Sequence, residues 1–484
     1  MERAILYVLV FLLCLGVFAR VRSRAVRQSL LLIGCCGLYL TWGTGFALVL
    51  LASTVMNYLL GRWLQRQPSG FVLSVGIILN LMFLASFKYL PEVAVRLPFT
   101  SLQKFAHLAL PLGLSFWTFQ AMSYLFDLYR GDELDPSFVE FALYMSFFPV
   151  VISGPICRMP DMLPQFRSDR LTVAHDILRG FGRIATGVLM MQFAQLLGQG
   201  ILSGDGVNSG FDHLARWSGP DVWCLAFGYG LQLFLDFAGY SHIAIGAAQA
   251  LGFTVPENFA RPFKSTTPSV FWTRWHMSLS FWIRDYVFLP LAVARREVWW
   301  RNLALVFSMI VFGIWHKASW LFVLWGCYHG ALLVLHRLVQ QVERKFDWTP
   351  SPAIWSPVSW LVTISLVSLG WIFFRANSLL EARQMLGAVL DPATYSSHLL
   401  SGSLYGLVIG LAFGYALVLR TIDMLDPDSA GEASFEELRS GVLTTLARHR
   451  WFWLPPLYVV VLLLVLAVTH TRGADAAQFM YRKF

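Results

Sequence analysis

Apolar runs long enough to cross a bilayer recur from one end of this chain to the other, with no polar domain between them. Candidate spans lie near 4–19, 29–51, 71–90, 107–128, 138–156, 181–202, 222–250, 303–315, 319–338, 358–374, 403–420 and 452–470. A hydrocarbon core of about 30 Å needs about 20 apolar residues in helix. Inside it every backbone N–H and C=O must be satisfied by the segment itself, which leaves helices or closed barrels. The runs here are continuously apolar rather than alternating, so helices are expected and a barrel is not. Composition agrees: 57% of residues are hydrophobic and 13% charged, against about 25% charged in soluble proteins, and the mean hydropathy is +0.59. The expectation is an all-α polytopic membrane protein, one integral membrane domain over 1–484, with about ten to twelve transmembrane or re-entrant helices.

The net charge of +9 comes from 37 Lys+Arg against 28 Asp+Glu. The arginines fall mostly in short segments between apolar runs, as Arg20, Arg22, Arg24 and Arg27 do. That placement reads as topology and contact with lipid headgroups, not as a nucleic-acid surface. It also points to a cytoplasmic end for the first span. The first run, ILYVLVFLLCLGVFA, is followed by RVRSR and another apolar run rather than a small-x-small cleavage site, so a retained span is expected. The six cysteines form no CxxC pair and no metal-ligand spacing with histidine, and they read as small core residues.

Two stretches break the rhythm. Residues 421–440 are an acidic, polar connection. Residues 256–301 are aromatic and basic but not apolar enough to span. Within the latter, FWTRWHMSLSFWIRDY (271–286) can be drawn as one amphipathic helix, with Arg274, Ser278 and Asp285 on a polar stripe and Trp275, Leu279, Trp282, Ile283 and Tyr286 opposite. A plain interfacial anchor is the lesser alternative to a functional segment here.

Of eleven histidines, His316 stands apart. It lies in GIWHKASW (313–320), at the junction of two apolar runs, with tryptophans at 315 and 320 and Lys317 beside it. A titratable ring at membrane depth is costly and marks a candidate site. A buried neutral imidazole beside a cavity can take a proton from a hydroxyl near neutral pH. His276 and His242 are further candidates, whereas His329 and His336 share a helix face and read as packed core. No nucleophile elbow, Gly-rich phosphate loop or HExxH occurs, and Asp127 and Asp236 are single acids in apolar surroundings. Hydrolysis by paired carboxylates is therefore not expected.

FWTRWHMSLSFWIRDYVFLPL, followed some forty residues later by GIWHKASWLFVLWGCYHG, resembles the membrane-bound O-acyltransferase (MBOAT) family. The nearest branch in motif is the alginate O-acetyltransferase type, with the D-alanyl transferases of teichoic acid synthesis as cousins. LPLGLSFWTFQAMSYLFDLYRGD (110–132), FFPVVISGPICRMPDMLPQF (147–166), LFLDFAGYSHIAIG (233–246), PENFARPF (256–263), GWIFFRA (370–376) and the closing QFMYRKF extend the resemblance along nearly the whole chain.

The resemblance implies a ring of helices around a tunnel. There a cytoplasmic acyl donor, acetyl-CoA or another thioester, meets an acceptor from the far side, with no bound cofactor and no metal. It places the family's catalytic histidine on His316 and its RWH histidine on His276. Arg274, Ser278, Arg284, Asp285, Trp315, Lys317 and Asp236 become candidates for holding the donor or lining the tunnel. It also implies a multi-pass protein of the cell inner membrane and an exported polysaccharide acceptor served by periplasmic acetyltransferase partners. Arginines of 271–301 suit an anionic donor and equally anionic lipid. Two residues depart from the pattern: Lys317 replaces the usual Gly after the catalytic histidine, and His242 replaces the Asp of GYSD. D-alanyl transfer is the rival within the family. Transport of a polysaccharide or lipid is the rival from another class, and the lack of an internal repeat weighs against it.

Overall fold

The computed structural model describes residues 2–96, 108–201, 204–214, 216–346 and 351–425. The expected span at 452–470, the closing QFMYRKF, and His107, His449 and His470 lie outside the described residues, as does all but the start of the 421–440 connection. Among the described residues the regular structure is helical, apart from one isolated bridge pairing Phe259 with Trp275. The helices are α1 (Glu2–Phe18), α2 (Arg24–Leu40), α3 (Thr44–Arg66), α4 (Gly70–Lys88), α5 (Leu90–Arg96), α6 (Leu114–Arg130), α7 (Phe138–Ser146), α8 (Met159–Arg167), α9 (Ala174–Gln199), α10 (Val207–His213), α11 (Gly219–Ala250), α12 (Pro268–Trp272), α13 (Met277–Ile283), α14 (Leu289–Val293), α15 (Val298–His316), α16 (Trp320–Lys345), α17 (Pro352–Arg375), α18 (Leu379–Leu390) and α19 (Gly402–Leu425). Seven of these, α3, α4, α11, α15, α16, α17 and α19, are long and apolar enough to cross a bilayer.

The chain divides into two compact units. The first comprises Met1–Ile184, Tyr240–Pro262 and Ser269–Ser308, and the second Ala185–Gly239, Phe263–Pro268 and Met309–Phe484.

In the first unit, small residues let helices approach closely, the packing device expected where lipid supplies no hydrophobic drive between helices. A Cβ added at Gly61 would strike the Tyr124 ring, and one at Gly76 would strike Leu125. Asn57 on α3 and Asn80 on α4 exchange amide hydrogen bonds at 3.1 and 2.7 Å, pinning two largely exposed apolar helices through a buried polar pair. Ser137 and Glu140 form a capping box at the start of α7.

Three expected segments are corrected. The run 29–51 is not one span: it breaks at Thr41–Gly43, where Gly43 takes φ 138, so α2 ends and α3 begins. The run 138–156 stops being helical at Phe147, before Pro149, and continues as turns. The stretch 271–286 is not one amphipathic helix. It is α12, a break at Thr273–His276, α13, and then a π-helical turn at Arg284–Phe288.

In the second unit, α15 and α16 meet backbone to backbone. A Cβ at Gly313 would collide with the Phe322 carbonyl oxygen, and one at Gly326 would lie 2.5 Å from the Met309 carbonyl oxygen. Asp221, fully buried, accepts hydrogen bonds from Ser218 and Tyr405 hydroxyls and from the Leu399 and Leu400 amides, tying the start of α11 to the segment before α19.

Candidate functional site

The break at 273–276 creates the histidine site of the first unit. His276 sits at φ 43, a left-handed conformation that a residue with a Cβ adopts only when its surroundings impose it. Those surroundings come from PENFARPF. The Met277 amide donates to the Asn258 carbonyl at 2.8 Å, and the Ala260 amide donates to the Arg274 carbonyl at 3.0 Å. The Ser278 hydroxyl donates to Asn258 Oδ1 at 2.6 Å while accepting the Ile156 amide at 3.1 Å. Asn258 Nδ2 in turn donates to the Ser241 hydroxyl at 3.0 Å. Four motifs of the chain therefore converge on one small polar knot, and Asn258, fully buried, is its centre. Sequence reasoning passed over Asn258, although the motif containing it was in plain view. His276 is 1% exposed, and burial pushes its imidazole down to about 3, so it is neutral at physiological pH.

Beyond α13, the remaining candidates of this unit form an ionic and aromatic group. Trp282 Nε1 donates to the Phe119 carbonyl at 3.0 Å, with its ring 4.4 Å from that of Phe119. Asp285 is held by Arg158 and by Arg284, each at 2.7 Å, and its carbonyl accepts from Arg130 at 2.6 Å. Burial alone would raise the Asp285 carboxyl, but hydrogen bonds from the two guanidiniums hold it below the usual carboxylate range. The Tyr286 hydroxyl donates to Asp127 at 2.7 Å, so Asp127 is not an isolated acid. Ser278 lies on no exposed stripe with Arg274 and Asp285: it is buried in the knot, Arg284 faces outward, and the stripe is broken at His276.

In the second unit, His316 is the last residue of α15 and is 5% exposed. Five aromatic rings enclose it. Phe312 stacks on the imidazole at 5.5 Å, and Trp315 lies at 4.6 Å. Phe374 and Trp325 present their edges at 5.0 and 5.8 Å, and Phe322 lies at 6.1 Å. The geometry follows from the sequence: Phe312 is one turn before His316, Phe322 and Trp325 occupy the facing side of α16, and Phe374 closes the box from the end of α17. Trp325 also contacts the His329 ring at 4.9 Å, and Gly370 leaves room for the His329 imidazole. Of the other candidates in this unit, Trp315 is a wall of the box, Asp236 is buried on α11, and Lys317 is exposed. Lys317, though adjacent in sequence, is not inside the box.

Fold and sites together define a multi-pass helical membrane protein with a buried histidine in each of its units, one held in a strained turn and one in an aromatic box. The sequence profile described as MBOAT, membrane-bound O-acyltransferase family, matches residues 98–374, and the chain belongs to that family. It is accordingly a membrane acyltransferase. It is 33% identical over 414 residues to the probable alginate O-acetylase AlgI of Pseudomonas aeruginosa, covering 81% of this chain and 75% of that protein. It is 32% identical over 385 residues to the peptidoglycan O-acetyltransferase of Helicobacter pylori, covering 72% and 71%. It is 27% identical over 333 residues to the teichoic acid D-alanyltransferase of Bacillus subtilis, covering 67% and 82%.

Proposed function

We propose that this acyltransferase is an O-acetyltransferase of the cell inner membrane, taking acetyl from acetyl-CoA on the cytoplasmic side for O-acetylation of an exported or cell-surface polysaccharide. The observation that carries the reading is the enclosure of His316 by five aromatic rings at the end of a membrane helix. A neutral imidazole in this box is able to accept a proton from a hydroxyl. In the reaction, the acceptor hydroxyl gives its proton to His316 as its oxygen attacks the thioester carbonyl. The carbon–sulfur bond then breaks, and the departing thiolate takes the proton from the imidazolium. The product is an acetyl ester and free coenzyme A, with no electron sink required.

His276 is the second catalytic candidate. Its neutral, buried ring suits hydrogen bonding to donor or acceptor better than charge. Ser278 and Asp285 serve chiefly to hold the RWH turn, through Asn258 and Arg158. The exposed Arg284 and the half-buried Arg274 are left as candidates for the phosphates of the donor. The two most similar relatives named above both carry acetyl to a glycan by name, which supports acetyl over D-alanyl; periplasmic acetyltransferase proteins are the expected onward partners.

The test is acetyl transfer by protein reconstituted in lipid. His316→Ala is expected to abolish transfer from labelled acetyl-CoA while inserting normally. Full activity in that variant would overturn the assignment. Offering a carrier protein loaded with D-alanine as a second donor separates the two acyl chemistries. Movement of polysaccharide across vesicles without a new ester would instead favour transport.

A further inference from the structure

Phe374 closes the aromatic box from the last turn of α17, a place where a helix holds its own residues least. The final four carbonyls of a helix have no partner in a following turn, so the end frays unless something outside fastens it. Here the helix stops at Arg375, and Ala376 turns away at ψ 144. The Phe374 ring meets His316 at 5.0 Å and Phe322 at 4.8 Å, contacts that hold it from the inside of the box.

The outside hold comes from the next residue. Arg375 Nη2 donates to Asp212 Oδ1 at 2.7 Å, and the guanidinium lies 5.1 Å over the Phe211 ring. Two consecutive residues of α10 thus grip one guanidinium, one by its charge and one by its ring face. α10 is itself fixed. Phe211 is 2% exposed and sets its ring against Tyr229 of α11 at 5.8 Å. A Cβ added at Gly210 would lie 2.5 Å from the Leu225 side chain, so α10 rests on α11 at close range. The Tyr229 ring also lies 6.5 Å from that of Phe374, so one ring neighbours both the anchor and the wall of the box.

Arg375 is 20% exposed and Asp212 46%, and an ion pair so placed adds little to overall stability. Its leverage is local. It acts on the residue next to Phe374, and a misplacement of about 1 Å at a reacting group can cost on the order of 100-fold in rate. We propose that Arg375 and Asp212 are positioning residues for acyl transfer: their ion pair latches the end of α17 so that Phe374 stays against the His316 imidazole. The catalytic part of this inference rests on the reading of His316 as general base; the latch itself does not.

The experiment uses the full chain reconstituted in lipid and takes two readings. One is kcat and KM for acetyl-CoA. The other is the rate at which diethylpyrocarbonate modifies His316, followed by mass spectrometry of its peptide. Arg375→Ala is expected to lower kcat at least about tenfold, with KM within about twofold, and to speed modification of His316 several-fold. The unchanged KM shows that the protein has folded and still binds donor. Arg375→Lys keeps the charge but not the planar face over Phe211, so it should recover part of the rate and guards against a misfolded alanine variant. A combined Arg375→Ala, Asp212→Asn protein is expected to lose no more than Arg375→Ala alone, because each change breaks the same pair. Arg383→Ala, which removes an exposed arginine of α18, should change neither reading. Unaltered modification of His316 in Arg375→Ala overturns the latch, and so do losses that multiply in the combined protein. Faster modification with kcat within about twofold overturns the positioning role. Full transfer by His316→Ala instead overturns the reading of His316 as base, while the modification rate still decides the latch.

Discussion

Replacing Gly326 by alanine tests whether the aromatic box depends on the close approach of α15 and α16. An added Cβ would lie 2.5 Å from the Met309 carbonyl oxygen and 2.6 Å from the Ile310 Cα, both backbone atoms that cannot rotate away. Ordinary contact begins at 3.4 Å, so restoring it asks the two helices to separate by about 3.4 − 2.5 = 0.9 Å at this level. Overpacking of this kind costs about 1–3 kcal/mol. The displacement falls on the box itself, because Trp325 is the neighbouring residue and His316 lies two turns along from Met309 on the same helix. A misplacement of about 1 Å at a reacting group can cost on the order of 100-fold in rate. Gly326→Ala is therefore expected to insert and fold, to melt a few degrees lower, and to lose at least about tenfold in acetyl transfer at saturating donor. Gly410→Ala serves as the control: it is also helical, but its Cβ meets nothing within 4 Å, and a modest gain in stability is expected from the lower flexibility of the unfolded chain. A Gly326→Ala protein with unaltered melting and a rate within about twofold would refute the argument that this crossing sets the box.

Asn258→Ala removes the acceptor of Ser278 and the donor to Ser241; a loss of about 2–4 kcal/mol is expected in denaturant unfolding, with acetyl transfer falling further than donor binding because the His276 turn loosens. The depressed imidazole of His276 makes stability depend on pH. At pH above 6.5 neither state is protonated, and as pH falls toward about 3 the unfolded chain alone takes the proton, so stability falls by about 2 kcal/mol between pH 6.5 and 5. The same loss should be absent in His276→Phe when melting is followed over that range. Lys317→Ala is expected to leave transfer within about threefold, since the exposed ammonium stands outside the box; a tenfold rise in KM for acetyl-CoA would instead place it on the donor.

Hydropathy located most membrane helices because a segment in lipid has to satisfy its own backbone and cover itself in apolar side chains, and both demands are visible along a short window. It misplaced the boundaries set by backbone conformation. Gly43 carries the turn between α2 and α3 inside an apolar run, so counting apolar residues merged the end of one helix with the start of the next. The wheel drawn over 271–286 failed for a different reason. It assumed a continuous helix, whereas hydrogen bonds with residues 258–260 hold the chain open at Arg274–His276, and no local propensity records partners 14 and 19 residues away. The surface that the wheel draws through those side chains does not exist.

His316 was legible because a polar residue between two apolar runs is rare and expensive, but its surroundings were legible only in part. Phe312 and Trp315 follow from helical spacing, while Phe374 lies 58 residues further on by number (374 − 316) and is brought in by the end of α17. The contrast with Lys317 is the more instructive point. The two residues are neighbours, equally polar against their flanks, and hydropathy by itself offers no ground for separating them. What separates them is the end of α15: His316 is its last residue, and Gly313 three positions earlier lets α16 come close enough for Phe322 and Trp325 to close over the imidazole. Past that point the chain turns through Ser319, whose amide bonds the Lys317 carbonyl at 2.8 Å, and the lysine side chain is carried out of the packing. One helix terminus thus turns an apparent polar pair into a buried imidazole and an exposed cation. In the mechanism proposed above the imidazole must change charge during acyl transfer, and that separation favours it, because an ammonium held inside the same low-dielectric box would oppose formation of the imidazolium.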